Sequence, residues 1–280
     1  MSRALLLAIS VSLLTVAGCK KAPSPEQPPA EQSAPAAATP AATSSELSAE
    51  DKAAIYASID NIERLPGDMD EDSWRKPSEV LTFLAVRPGM KVVDYLSAGG
   101  YYTELLSRVV GPSGQVIAYN NPAYLKFSGE KPAQRYGNDR LPNVVQLTTA
   151  PEEAPFEPSS LDAALFVMSY HDLHWKSKDG SWPSTDPAQA LAKLVPALKP
   201  GATVVVLDHV AAAGADPAVS VDALHRMDPA IIKRDFEAAG LTFDAESKAF
   251  ANAQDDHTKP VFDPAVRHKT DQVMYRFRKS

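Results

Sequence analysis

The chain has 280 residues, 44% hydrophobic and 22% charged, enough apolar content to bury one sizeable core. Its formal net charge of -7 argues against a protein that binds nucleic acid through a basic face. Cys19 is the only cysteine, so no disulfide can form within the chain.

The first residues read as an export address. Arg3 precedes an apolar run over residues 4–16 that is too short to span a bilayer and ends in small residues, the order of a secretory signal. Its end, Leu14-Thr15-Val16-Ala17-Gly18-Cys19, resembles a bacterial lipobox. That resemblance implies removal of residues 1–18, diacylation of the Cys19 sulfur and acylation of its new amino group. Several acyl chains on one residue suffice for a stable anchor. Loss of Arg3, the one charged residue in the segment, takes the charge from -7 to -8, so the body should hang from its tether away from anionic lipid.

Residues 19–47 are the expected tether. Pro23, Pro25, Pro28, Pro29, Pro35 and Pro40 interleave with Ala, Ser, Thr, Gln and Glu, and no aromatic residue precedes Tyr56. Such a composition cannot bury enough surface to fold and predicts an extended spacer. Lys20 and Lys21, with no aspartate directly after the anchor, resemble an outer-membrane sorting signal, so the periplasmic face of that membrane is the expected location.

A globular pattern begins at Ser48, and the folded domain is expected over residues 48–280. Ser48 with Asp51 signals a helix start, and Ile55, Ile59 and Ile62 continue a helix that Pro66-Gly67 ends. GDMDEDSWRKPSE then imitates a calcium loop, with Asp68, Asp70, Asp72 and Glu79 at the ligand positions, but Ser73 stands where the turn glycine belongs. It reads as a solvated acidic turn before a helix starting near Pro77. Strands are predicted over 92–96, 115–119, 143–149, 161–170, 202–209, 241–250 and 271–277, with helices over 101–110, 187–198 and 228–239. Continuous apolar runs such as VVVL suit strands buried on both faces, which predicts a doubly wound, mostly parallel α/β sheet.

Pro88-Gly89-Met90 before VVDYLSAGGYYTELL, then PFEPSSLDAALFV and LVPALKPGATVVVLDHV, resemble in content and order the class I S-adenosylmethionine-dependent methyltransferases. HRMDPAIIKRDFEAAGL and DDHTKPVFDPAVRHKTDQVMYRFRKS are similar to a group of exported bacterial proteins grouped as predicted methyltransferases. The resemblance covers about residues 50–280. It implies a Rossmann-like seven-stranded sheet with an antiparallel last strand, and S-adenosylmethionine as cofactor.

In that superfamily the loop after the first strand uses glycines for close backbone approach, and the next helix start offers amides to the cofactor carboxylate. The implied cofactor residues are Asp94, Ser97, Ala98, Gly99, Gly100, Tyr101 and Asn120. Leu96 and Ala98 stand where two glycines are usual. A leucine at 96 is expected to hold φ below zero. Asn120 replaces the usual acid at the end of the second strand, and its amide oxygen should accept more weakly from the ribose hydroxyls.

All six histidines fall in segments leaving the carboxyl ends of strands, the ligand edge of an open α/β sheet. Methyl transfer needs alignment and, for a neutral acceptor, a base. His171 is the expected base, oriented by Asp172 or Asp208, and Trp175 and Trp182 read either as the wall of an apolar acceptor pocket or as incidental aromatics of an exposed lid; Lys176 and Lys178 read as solvated charge. The acceptor is expected to be a small molecule or an envelope component, with no nucleic-acid partner. Two alternatives stand beside this: a noncatalytic binding module, and a metal site of His171 and His174 with Asp172, Asp208 or His257.

Overall fold

Ser48 opens the first helix, α1 (Ala49–Ile59), by a reciprocal cap in which its hydroxyl accepts from the Asp51 amide and the Asp51 carboxylate accepts from the Ser48 amide, both at 3.0 Å. The computed structural model describes residues 46–178, 180 and 182–280; the export segment, Cys19 and all but the last two tether residues lie outside the described residues. α1 stops before Ile62, whose side chain is 91% exposed. The acidic stretch is no turn: it forms α2 (Asp68–Arg75), whose first turn holds Asp68, Asp70 and Glu71, where the helix dipole favours negative charge. Asp68 is buried against a cation from a distant element, a partner that local sequence cannot show. Pro77 then opens α3 (Pro77–Leu84), as expected.

From there the chain runs β1 (Lys91–Tyr95), α4 (Tyr101–Val110), β2 (Gln115–Asn120), α5 (Pro122–Ser128), α6 (Lys131–Tyr136), β3 (Val144–Thr148), β4 (Leu161–Val167), α7 (Pro187–Leu194), β5 (Leu198–His209), α8 (Pro217–Leu224), α9 (Pro229–Ala238), β6 (Leu241–Ser247) and β7 (Gln272–Lys279). All seven strands form one sheet in the order β3-β2-β1-β4-β5-β7-β6, with β7 antiparallel to both its neighbours. The Rossmann-like expectation holds.

Strand alternation builds the core on both faces. Val93, Tyr95, Ile117, Phe166 and Val204 pack on one side with Phe236 of α9, while Val92, Val116, Leu165 and Val205 pack on the other with Leu105 of α4 and Leu81 of α3. The apolar run 161–170 leaves the sheet at Val167 because Met168 takes φ 52 and the chain folds into a 3-10 turn over His171–Leu173. Tyr170 and Leu173 stay buried in that turn, so hydrophobicity alone could not separate it from strand. The helix predicted over 187–198 ends at Leu194, followed by a 3-10 turn at Val195–Ala197. β6 ends at Ser247, short of the expected 250. Among the described residues no helix is long and apolar enough to cross a membrane.

Candidate functional site

β1 ends at Tyr95, and the next five residues form the loop at which the resemblance points. Leu96 has φ 55, Ala98 φ 49 and Gly100 φ 79, so all three alternate positions hold the left-handed backbone that glycine adopts most readily. The expectation that Leu96 would keep φ below zero is overturned. Its side chain is 3% exposed in the core cluster with Val93 and Tyr95. Burying a leucine contributes about 1.5–3 kcal/mol, which offsets a left-handed cost of about 1–2 kcal/mol. Altered residues thus keep the glycine loop's shape.

Asn120, at the end of β2, is turned into this loop. Its Oδ1 accepts from the Ala98 amide at 2.9 Å and its Nδ2 donates to Ser97 Oγ at 3.1 Å, with 4% of the residue exposed. The expected ribose acceptor therefore braces the loop, since a buried amide with partners on both ends is satisfied where it stands. Asp94 accepts from the Thr103 hydroxyl at 2.6 Å, and burial pushes its carboxyl up to about 6 against that hydrogen bond and the pull of Arg135 and Arg75. Tyr101 is drawn away: its hydroxyl donates to Asp72, and the Arg75 guanidinium lies 4.5 Å from its ring centre.

α5 and α6, which no hydrophobic period announced, cover the loop. Arg135 donates to the Gly99 carbonyl at 2.6 Å and pairs with Asp68 at 2.7 Å and Glu104 at 2.5 Å. A Cβ at Gly100 would collide with the Tyr136 hydroxyl, and one at Gly99 would stand 2.9 Å from Lys131 Cδ. The Tyr136 hydroxyl is buried beside Thr103 and Ser97. The Asn121-Pro122 pair, a capping side chain before a first-turn proline, was the available signal for α5.

A cavity of about 900 Å3 runs from this loop to the ends of β4 and β5. Its loop end is bordered by Ser97 to Tyr102, Arg75 and Lys131; its far end by Tyr124, Met168, His171, Asp172, His209 and His225. There the rings Phe127, Tyr124, Trp182, Trp175, His225 and Phe262 follow one another at centroid spacings of 6.4, 5.3, 5.0, 5.5 and 5.0 Å. Both indole N–H groups are taken by the protein, Trp175 donating to Asp222 and Trp182 to the Asp172 carbonyl. Trp175 and Trp182 thus line this end of the cavity.

Asp208, not Asp172, orients His171: His171 Nδ1 is 2.7 Å from Asp208 Oδ1, and the His171 amide donates to Asp208 Oδ2 at 2.9 Å. His171 Nε2 lies 3.5 Å from Asp172, which in turn accepts from the Tyr124 hydroxyl at 2.8 Å. Burial pushes the His171 imidazole down, but Asp172 and Asp208 outweigh it and raise the group to about 9. Burial pushes the Asp172 carboxyl up against His171 and Tyr124. Burial holds His209 neutral, at about 3. The remaining histidines leave the cavity: His174 lies 3.2 Å from Asp235, His257 3.1 Å from Asp271, and His268 packs on Trp74 at 4.3 Å. His171 and His174 thus turn to different carboxylates, and among the described residues no group of three or more His, Cys, Asp or Glu is placed to hold a metal ion. The metal-site alternative is withdrawn on that geometry.

No protein-family model matches the chain. A stretch of 124 residues is 31% identical to the ubiquinone/menaquinone biosynthesis C-methyltransferase of Idiomarina loihiensis and 32% identical to that of Pasteurella multocida. It makes up 44% of this chain and 44% and 41% of those proteins, so the chain spans less than half the length of the curated relatives it matches. A solved S-adenosylmethionine-dependent methyltransferase from Aquifex aeolicus superposes with a TM-score of 0.54 at 17% identity, over 75% of this chain and 93% of its own. A sarcosine dimethylglycine methyltransferase assignment from Galdieria sulphuraria gives 0.51 at 15%, over 76% and 86%, and the [4+2]-cyclase SpnF 0.52 at 14%, over 79% and 85%. Sheet order and the antiparallel last strand give the chain the fold of these solved methyltransferases, and 124 of its residues are similar in sequence to the C-methyltransferases.

Proposed function

We propose that this protein is an S-adenosylmethionine-dependent methyltransferase, carried at the bacterial envelope by lipid on Cys19, with a small-molecule or envelope-borne acceptor entering the aromatic end of the cavity. The observation that carries the reading is the loop itself: three left-handed residues border a cavity that continues to His171 and Asp172. Their geometry fits the cofactor. The left-handed loop borders the cavity, and the first-turn amides of α4 and the Lys131 ammonium suit a carboxylate. The cofactor supplies a methyl on a good leaving group, so the chain's own work is to align the acceptor and move a proton. His171, charged at neutral pH and fixed by Asp208, suits an acceptor oxygen as a hydrogen-bond donor. Asp172 and Tyr124 complete the polar floor.

Fold alone does not fix chemistry, and a [4+2]-cyclase stands among the structural neighbours. The noncatalytic alternative is favoured by one feature, the packing of Tyr136 and Arg135 onto Gly100. Calorimetric titration of the full chain with S-adenosylmethionine and with S-adenosylhomocysteine separates the two. Saturable heat with both is expected, weakened by Lys131→Ala; no heat from either, with the protein folded, overturns the methyltransferase reading in favour of the binding module. For the envelope assignment, Cys19→Ser should move the protein out of the membrane fraction, and retention there would refute lipid anchoring.

A further inference from the structure

Three imidazoles meet at the acceptor end, and they are not equivalent. His171 Nδ1 is engaged by Asp208 and His209 Nδ1 by the Thr270 hydroxyl at 2.8 Å. The ring nitrogens of His225 make no hydrogen bond to a described residue. His225 closes α8 with φ 53 and ψ 49, a left-handed conformation that a histidine holds at a cost. That turn sets its ring, half-buried, between Trp175 at 5.5 Å and Phe262 at 5.0 Å, with its centroid 5.7 Å from that of His171.

We propose that His225 is the catalytic proton acceptor of this cavity, with His171 the fixed cation beside it. The inference rests on the cavity being a methyl-acceptor chamber. Geometry gives His225 an unengaged nitrogen at the acceptor end, whereas His171 is held between Asp208 and Asp172. Charge supports the same division. The groups facing His225 are His171 and Asp172 from the turn after β4, Asp208 and His209 from β5 and Asp222 from α8; Phe262, on the β6–β7 connection, brings no charge. Burial and the His171 charge push His225 below the ordinary imidazole value, against the pull of Asp172, Asp222 and Asp208. Two neighbouring titratable groups driven apart in this way take the acid and base roles. The O–H or N–H bond of the acceptor breaks, its proton bonding to His225 and its electron pair staying on the acceptor atom to form the bond to the methyl carbon. The methyl–sulfur bond of S-adenosylmethionine would break with its electron pair passing to sulfur, so that S-adenosylhomocysteine leaves as a neutral thioether. The imidazolium then returns its proton to water.

The test uses the full chain in two arms. Imidazole NMR titration needs no acceptor: His225 should titrate below the ordinary value near 6.5 and His171 above it, and His171→Gln should move His225 upward. The second arm uses methyl-labelled S-adenosylmethionine with the envelope fraction of the producing bacterium. His225→Asn, chosen because asparagine tolerates the left-handed backbone, should cut label transfer by about 100-fold while calorimetric affinity for S-adenosylmethionine stays within about twofold. A His225 that titrates above His171, or ignores His171→Gln, overturns the inference. So does undiminished transfer by His225→Asn. Absence of cofactor binding by the wild type would instead remove the methyltransferase reading, and the inference with it.

Discussion

Asn120 Oδ1 accepts the Ala98 amide proton at 2.9 Å, so the residue that ends β2 holds the loop that follows β1. Asn120→Asp would lose the Nδ2 donor to Ser97 and place a carboxylate where 4% of the residue is exposed. The variant should be destabilised by about 1–3 kcal/mol, read by denaturant unfolding. Unchanged stability with tighter S-adenosylmethionine binding would show that position 120 turns to a ribose after all.

Glycine at the two altered loop positions should act in opposite directions. Ala98→Gly removes the strain of φ 49 with little loss of contact, so stability should hold or rise by up to about 1 kcal/mol once the freer unfolded chain is counted. Leu96→Gly removes a side chain that is 3% exposed. Cavity formation of about 2–5 kcal/mol outweighs the relief of strain, so thermal denaturation should give a lower Tm for Leu96→Gly alone.

His171 and His209 should each add a pH-dependent term to stability, on opposite sides of about pH 6.5. His171 is raised to about 9, so in the native state it keeps a proton that the unfolded chain has lost; its contribution is complete below about 6.5 and fades as pH rises through 9. His209 is lowered to about 3, so between 3 and about 6.5 the unfolded chain binds the extra proton and stability falls with acid. His171→Gln should flatten the alkaline limb and His209→Gln the acid limb in urea titrations across pH. An alkaline limb that survives His171→Gln would mean the imidazolium is not set by its two carboxylates.

Arg135 is 1% exposed and ties Asp68 of α2 and Glu104 of α4 to the Gly99 carbonyl. Arg135→Met strands Asp68, while Glu104 keeps Arg108 and Arg140, so the cost should be about 3–5 kcal/mol. Amide hydrogen exchange should quicken first in α6 and the 96–100 loop. Uniform protection across both would mean that the ion cluster does not hold the cover in place.

The local sequence determined the parts whose causes are local. Ser48 with Asp51 set the start of α1, the two-sided apolar strands set a parallel core, and residues 101–110 were a helix end to end. The position of His171 just beyond the carboxyl end of β4 was legible because strand ends and histidines are visible in order. Tertiary structure alone decided the rest. Asp68 looked solvated until Arg135, from 67 residues away, buried it. Leu96 holds φ 55 because core packing outweighs backbone preference, and Asn120 faces inward because Ser97 and Ala98 lie beside it. Which carboxylate orients His171, and which imidazole stays unengaged, depends on distances between β4, β5 and α8. A chain read in one dimension carries periodicity and caps; it does not carry the long-range contacts that set charge, strain and the direction of a side chain.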